Sequence, residues 1–167
     1  SGNQKILDSV KKGFTIEQAI SAVKATKSAG IATFCSFVVG LPNETAETIR
    51  DTYNLIKKVK PDFISGTILI VYPGSRLAKL ILEGKYSGKL KALNKGENMP
   101  GVFFKGNYTT FENNLTYEQL IKAVKEIERG FYLRPEYLWQ SLKNIRSFSD
   151  LGYYLNAGLM IIKSFIK

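Results

Sequence analysis

Histidine is absent from all 167 residues of this chain. Its absence removes Ser-His-Asp catalysis, histidine-ligated metals and imidazole acid–base chemistry together. Cysteine occurs once, at Cys35. A disulfide framework, a cysteine-ligated zinc site and a metal cluster built from this segment alone are therefore excluded as well. Cys35 sits inside an apolar run, which predicts a buried small hydrophobe rather than a reactive thiol. One unpaired thiol and no signal-peptide pattern lead to the expectation of a reducing, cytoplasmic compartment. Blocks of five like charges are also missing, although the net charge is +10, from 24 Lys and Arg against 14 Asp and Glu. Such a surplus favours anionic partners: nucleic acid, anionic lipid or phosphorylated substrates. Spread out as it is, it reads first as a solvated basic surface.

The residues present are enough for a core, since 44% of them are hydrophobic and 12% aromatic. One unit nearly repeats: a helix, an apolar strand, then a Gly/Pro elbow. The first copy ends at Val39-Gly40-Leu41-Pro42-Asn43-Glu44-Thr45, and the second runs from Pro61-Asp62-Phe63 to Val71-Tyr72-Pro73-Gly74-Ser75. Each strand is a continuous apolar run rather than an alternating one, which predicts a strand covered on both faces. Helix–strand alternation of this kind predicts an α/β fold with a parallel sheet. Ligands of such sheets sit where strands end and loops begin, so the two elbows are the candidate site.

Around these units the helix signals are clear. Gln4 to Lys11 reads as a short helix ended by Gly13, and Thr15-Ile16-Glu17-Gln18 is a capping box. It opens a helix that Gly30 terminates. Strands are expected over residues 31–39 and 63–71, and helices over 45–58 and 75–83. Residues 86–114 carry frequent Gly, Lys and Asn and a Pro100-Gly101 turn, and are expected to be an irregular connector with room for short extended pieces at Phe103-Phe104 and Tyr108 to Phe111. Thr116-Tyr117-Glu118-Gln119 is a second capping box, and its helix is interrupted at Arg134-Pro135 before another that reaches about Ile145. A final helix over 151–167 contains Lys163 as its one charge before Ile166. It is short for a bilayer, which needs ~20 apolar residues. It reads as a helix packed on the domain or on other parts of the protein, with peripheral attachment to a membrane surface as the sharper alternative.

At the first elbow Gly40 permits close approach of a ligand to the backbone, and Pro42 stiffens the turn. Free N–H groups come next, at the helix start over residues 43–45. At the second, Tyr72 offers an aromatic face beside the Pro73-Gly74 turn. The pair suits a flat heterocycle with a polar tail. Gly-Pro turns also succeed strands for purely geometric reasons.

Read in order, these segments resemble radical S-adenosylmethionine (SAM) enzymes. Ser1-Gly2-Asn3-Gln4-Lys5-Ile6-Leu7 and Lys11-Lys12-Gly13-Phe14-Thr15 resemble the stretch just after the fourth barrel strand of that family. Residues 29–45 are similar to its fifth strand and Gly-Leu-Pro-Gly-Glu-Thr elbow, and residues 68–75 to its sixth strand with a Tyr-Pro-Gly-Thr turn. Arg129-Gly130-Phe131-Tyr132-Leu133-Arg134-Pro135-Glu136-Tyr137 resembles the tail of the subgroup that carries an N-terminal cobalamin-binding domain. The Cys-x3-Cys-x2-Cys motif of the family is absent from this chain. The resemblance therefore implies the C-terminal piece of a longer enzyme, because an intact eight-stranded barrel takes ~250 residues. It implies a partial (β/α) TIM-type barrel over residues 1–85, the connector over 86–114, and a mostly helical extension over 115–167.

The resemblance further implies a SAM cofactor, a [4Fe-4S] cluster with ligands outside this chain, and cobalamin bound outside it. In the family SAM and the cluster generate a 5′-deoxyadenosyl radical that acts on a small-molecule substrate, with methyl transfer or bond rearrangement as the expected outcome. Carried over residue by residue, Ser1 matches a ribose contact, and Val38 the apolar slot beside adenine. Gly40 marks the close approach after that slot, Tyr72 flanks the adenine edge, and Lys12 pairs with the SAM carboxylate. Catalytic and metal-ligating residues are assigned to none of these positions, and the piece alone is expected to be inactive. A strict Gly-x-Ile-x-Gly-x-x-Glu reading expects Glu where Asn43 stands, with Glu44 one place later, so no carboxylate receives a role. The expected partners are the missing N-terminal half and the substrate. A tRNA-modifying methylthiotransferase, with nucleic acid as partner, and a non-catalytic small-ligand module are the alternatives.

Overall fold

The computed structural model describes residues 1–93 and 108–143, with side chains as far as Trp139. In chain order the elements are α1 (Gln4–Ser9), α2 (Ile16–Ser28), β1 (Phe34–Val39), α3 (Ala46–Val59), β2 (Phe63–Ile68), α4 (Arg76–Leu82), β3 (Lys89–Leu93), β4 (Tyr108–Glu112), α5 (Tyr117–Tyr132) and α6 (Pro135–Lys143). The fold is mixed α/β. β1 and β2 pair in parallel and β3 and β4 antiparallel. The expected helix over 151–167 lies outside the described residues. Among those residues no helix is long and apolar enough to cross a membrane.

The helices begin where side chains satisfy their first N–H groups. At α2 the Thr15 hydroxyl accepts from Gln18 N at 3.1 Å, and Gln18 Oε1 accepts from Thr15 N at 2.8 Å. Thr45 and Thr48 exchange the same pair of bonds at α3, as do Thr116 and Gln119 at α5. Each box supplies partners for donors that the helix itself leaves unpaired. α3 ends with Lys60 in the left-handed region at φ 50°. There the Lys60 carbonyl accepts from Lys27 Nζ of α2 at 2.7 Å. Asp62 ties the same end together: it accepts from Thr33 N and Thr33 Oγ1, both at 2.8 Å, and ion-pairs with Lys27 at 3.2 Å.

Residues Ser1–Val124 form one compact unit. In it Phe34, Ser36 and Val38 of β1 stand beside Phe63, Ser65 and Thr67 of β2, and Cys35, Phe37 and Val39 beside Ile64, Gly66 and Ile68. Partnered residues share a face because side chains alternate along each strand. The second set is packed: Phe37, Val39, Ile64 and Ile68 are buried, and the Phe37 ring and Val124 of α5 lie over Gly66. The first set is less packed: among the described residues Phe34 and Ser36 are exposed, and Val38, Phe63, Ser65 and Thr67 are half-buried. The expectation of two covered faces is met on one face and only in part on the other. β1 also pairs with β2 on one side only among the described residues.

Among the described residues of 86–114, which leave out Phe103-Phe104, lies the β3–β4 pair, in register from Lys89 opposite Glu112 to Leu93 opposite Tyr108. β4 falls on the extended piece expected at Tyr108 to Phe111, and β3 adds a strand the sequence did not suggest. Val71 N donates to Thr109 O at 2.7 Å, joining the chain beyond β2 to β4. Phe111 is fully buried and packs with Val71, Ala78 and Ile81. Fully burying a side chain of that size contributes about 1.5–3 kcal/mol. On the polar side, Glu112 ion-pairs with Lys89 and Lys91 at 3.5 Å each.

Residues Lys125–Lys167 form the second unit. Phe131, Tyr132 and Tyr137 make a ring cluster with centroids 4.9–5.2 Å apart. The Arg134 guanidinium lies 4.2 Å above the Phe131 ring, and its Nε donates to Phe131 O. Pro135 opens α6, where its missing N–H has no helical partner to lose.

Candidate functional site

The site begins with the first three residues, which are held against α3. Gly2 N donates to Thr52 Oγ1 at 2.7 Å, and Asn3 Nδ2 donates to Asp51 Oδ2 at 2.7 Å. A Cβ on Gly2 would stand 2.5 Å from Thr52 Cα, so the contact needs glycine. Asn3 also starts α1, its Oδ1 accepting from Ile6 N.

The first elbow is closed by a carboxylate. Gly40 has φ 84°, and a Cβ there would meet Leu120 Cδ1 at 2.9 Å. Asn43 lies further along at φ 63°, in the left-handed region that Asn tolerates better than most residues. Glu44 then folds back: its Oε2 accepts from Gly40 N at 2.6 Å and from Leu41 N at 3.2 Å. Its backbone is also engaged, with Glu44 N donating to Leu41 O and Asn114 Nδ2 donating to Glu44 O. Glu44 is fully buried, and its Oε1 has no hydrogen-bond partner among the described residues. Burial pushes this carboxyl above its ordinary range. The N–H groups of Gly40 and Leu41 pull the other way and lose.

Glu44 is the residue that sequence reasoning passed over. Its offset of four from Gly40 broke the expected motif spacing, yet that offset is what lets the side chain span the turn. A Glu set between a strand-ending Gly and a Thr N-cap was the available signal.

The second elbow turns at Gly74, φ 78°, with Ser75 N donating to Tyr72 O at 3.1 Å. Ser75 caps α4 by accepting from Ala78 N. Tyr72 is 63% exposed.

A cavity of about 680 Å³ lies along β1. Ser1, Lys12 and Val38 line it, as do Leu41 from the first elbow and Arg76 just past the second. Gly40 and Tyr72 do not line it. The cavity thus gathers three of the five candidate residues, drawn from three separate segments. Four consecutive residues, Cys35 to Val38, line it. The cavity therefore runs with the strand's length and not along one face alone. Cys35 is half-buried here rather than buried. Burial and the nearby Asp62 charge raise its thiol pKa against the pull of Lys27, which keeps it protonated and inert. Lys12 is exposed, and among the described residues it makes no ion pair. No group of three His, Cys, Asp or Glu that could hold a metal ion occurs among the described residues.

No protein-family model matches the chain. Individual proteins do. An uncharacterized methyltransferase of Pyrococcus horikoshii is 32% identical over 143 residues, covering 83% of this chain and 28% of its own length. The anaerobic magnesium-protoporphyrin IX monomethyl ester cyclase of Rubrivivax gelatinosus is 34% identical over 161 residues, covering 87% and 28%. The tRNA-2-methylthio-N(6)-dimethylallyladenosine synthase of Fusobacterium nucleatum is 27% identical over 135 residues, covering 78% and 31%. The chain spans less than a third of the length of each.

Proposed function

With radical SAM-type enzymes as its homologues, we propose that this chain is the C-terminal part of such an enzyme and forms one wall of its SAM site. The observation that carries the reading is the meeting of Ser1, Lys12 and Val38 on one cavity beside the parallel strands. In this reading Val38 gives the adenine an apolar surface, the Ser1 hydroxyl meets the ribose, and the Lys12 ammonium pairs with the carboxylate of SAM. Gly40, fixed by Glu44, and Tyr72 shape the rim from outside the cavity. SAM bound with a reduced [4Fe-4S] cluster supplies a 5′-deoxyadenosyl radical. With one cysteine and no histidine, the residues of this chain do not fit a cluster. The cluster ligands are assigned to the N-terminal half, which is also the segment placed along the unpaired side of β1. The likeness of residues 129–137 to the cobalamin-carrying subgroup supports cobalamin as a further cofactor, bound outside this chain. Methyl transfer or bond rearrangement on a small molecule, in the cytoplasm, is the activity proposed.

The test is SAM binding by calorimetry to the full-length protein. Lys12→Met is expected to weaken binding about tenfold, the size of one lost charge-assisted pair. Full-length protein that contains no cysteine triad, or that does not bind SAM, refutes the proposal.

A tRNA-modifying methylthiotransferase is the second reading. It is favoured by the alignment with the tRNA-modifying synthase and by the net charge of +10. Filter binding with tRNA at several salt concentrations separates the two, since each phosphate neutralised steepens the salt slope.

A further inference from the structure

The cavity wall has a composition that the SAM reading does not use up. Leu7, Val10, Phe14, Leu55, Val59 and Leu80 make it largely apolar, yet Lys11, Lys12 and Arg76 also line it. Among the described residues no Asp or Glu lines it, and none of the three cations makes an ion pair. Three exposed cations at the edge of an apolar cavity that no carboxylate lines favour an anionic ligand there. If Lys12 meets the carboxylate of SAM, Arg76, on the helix after the second elbow, is left over. Arginine is the side chain whose planar fork matches a carboxylate or phosphate with two parallel bonds. A volume of about 680 Å³ falls within the range of small-molecule sites, about 300–1,000 Å³.

Resting on the SAM reading, we infer that the substrate is a small molecule with an apolar body and an anionic group, and that Arg76 fixes that group. The apolar residues sequester the body, and Arg76 sets which end of it faces the reacting centre. A neutral analogue of the same shape is then rejected.

The experiment uses the full-length protein and two fluorescent probes: anilinonaphthalene sulfonate, and phenylnaphthylamine, which has the same rings without the sulfonate. The wild type is expected to bind the sulfonate about tenfold tighter than the neutral probe. Arg76→Gln should abolish most of that preference while leaving the neutral probe's affinity unchanged, which also reports an intact fold. Lys79→Gln, an exposed cation of the same helix that does not line the cavity, should keep the preference. Equal binding of both probes by the wild type overturns the inference, as does an equal loss in the two variants. SAM binding measured on the same samples separates the failures. SAM binding without anion preference sinks this inference alone, and anion preference without SAM binding sinks the SAM reading.

Discussion

Removing the Glu44 carboxylate tests how the first elbow is held. Glu44→Ala strips the acceptor from Gly40 N and Leu41 N, both in buried residues. Leaving a buried donor unsatisfied costs about 1–3 kcal/mol, so two cost roughly 2–6 kcal/mol. Relief from no longer burying a carboxylate offsets part of this, and about 2–4 kcal/mol is expected to remain. With a urea m-value of about 2 kcal/mol/M, the unfolding midpoint should fall by about 1–2 M. Glu44→Gln keeps an acceptor oxygen and should cost less than about 1 kcal/mol. Its use lies in the pH dependence. The folded-state pKa of Glu44 is raised by burial, so the folded protein holds this proton more tightly than the unfolded chain. The stabilisation is fully present below the unfolded pKa and is lost as pH rises through the folded pKa. Urea titrations monitored by circular dichroism from pH 4 upward should show wild type losing stability across that window while Glu44→Gln does not. An alanine variant within about 0.5 kcal/mol of wild type, the size of an ordinary surface change, refutes the reasoning. Parallel pH profiles for wild type and the glutamine variant refute it as well.

The geometry leads to two more expected outcomes. Gly40→Ala should cost about 1–3 kcal/mol for the left-handed backbone and more for the displaced Leu120. Gly30→Ala, also at positive φ but with nothing within 4 Å, supplies the backbone cost alone, and an equal loss in both would remove the Leu120 contact from the account. Asp62 titrates in the opposite sense to Glu44. Burial raises its pKa, but the two bonds from Thr33 and the Lys27 ammonium win and hold it below the ordinary value. Its stabilisation is present above the unfolded pKa and is lost as pH falls through the folded pKa. Asp62→Asn should therefore flatten the acid limb of the stability profile, and an unchanged limb refutes the assignment.

Local chemistry made much of the first half legible. Thr15 and Thr116 announced their helices because a hydroxyl with an amide three residues on satisfies N–H groups whatever the tertiary setting. The Gly40 and Gly74 turns were equally plain. β1 starts at Phe34 and not at Ile31, because Asp62 claims Thr33 at the strand's entry. That contact spans 29 residues and leaves no local trace. β3 was hidden for a like reason, although an extended piece at β4 was legible: Lys89-Leu90-Lys91 looks like solvated loop until Glu112 stands opposite. Apolarity told where strands lie but not what covers them, so the exposure of Phe34 could not be read. In the site, Ser1, Lys12 and Val38 were found by position in a pattern, while Glu44 was passed over because that pattern fixes spacing and not reach.

The lone flank of β1 sets a parity rule for anyone who divides or rejoins this polypeptide. A strand added there inherits the pleat: residues opposite Phe34, Ser36 and Val38 share their face, and those opposite Cys35, Phe37 and Val39 share the packed one. A slip of one position exchanges the two sets. Complementation from separate pieces must therefore restore the register of that pairing as well as the contact.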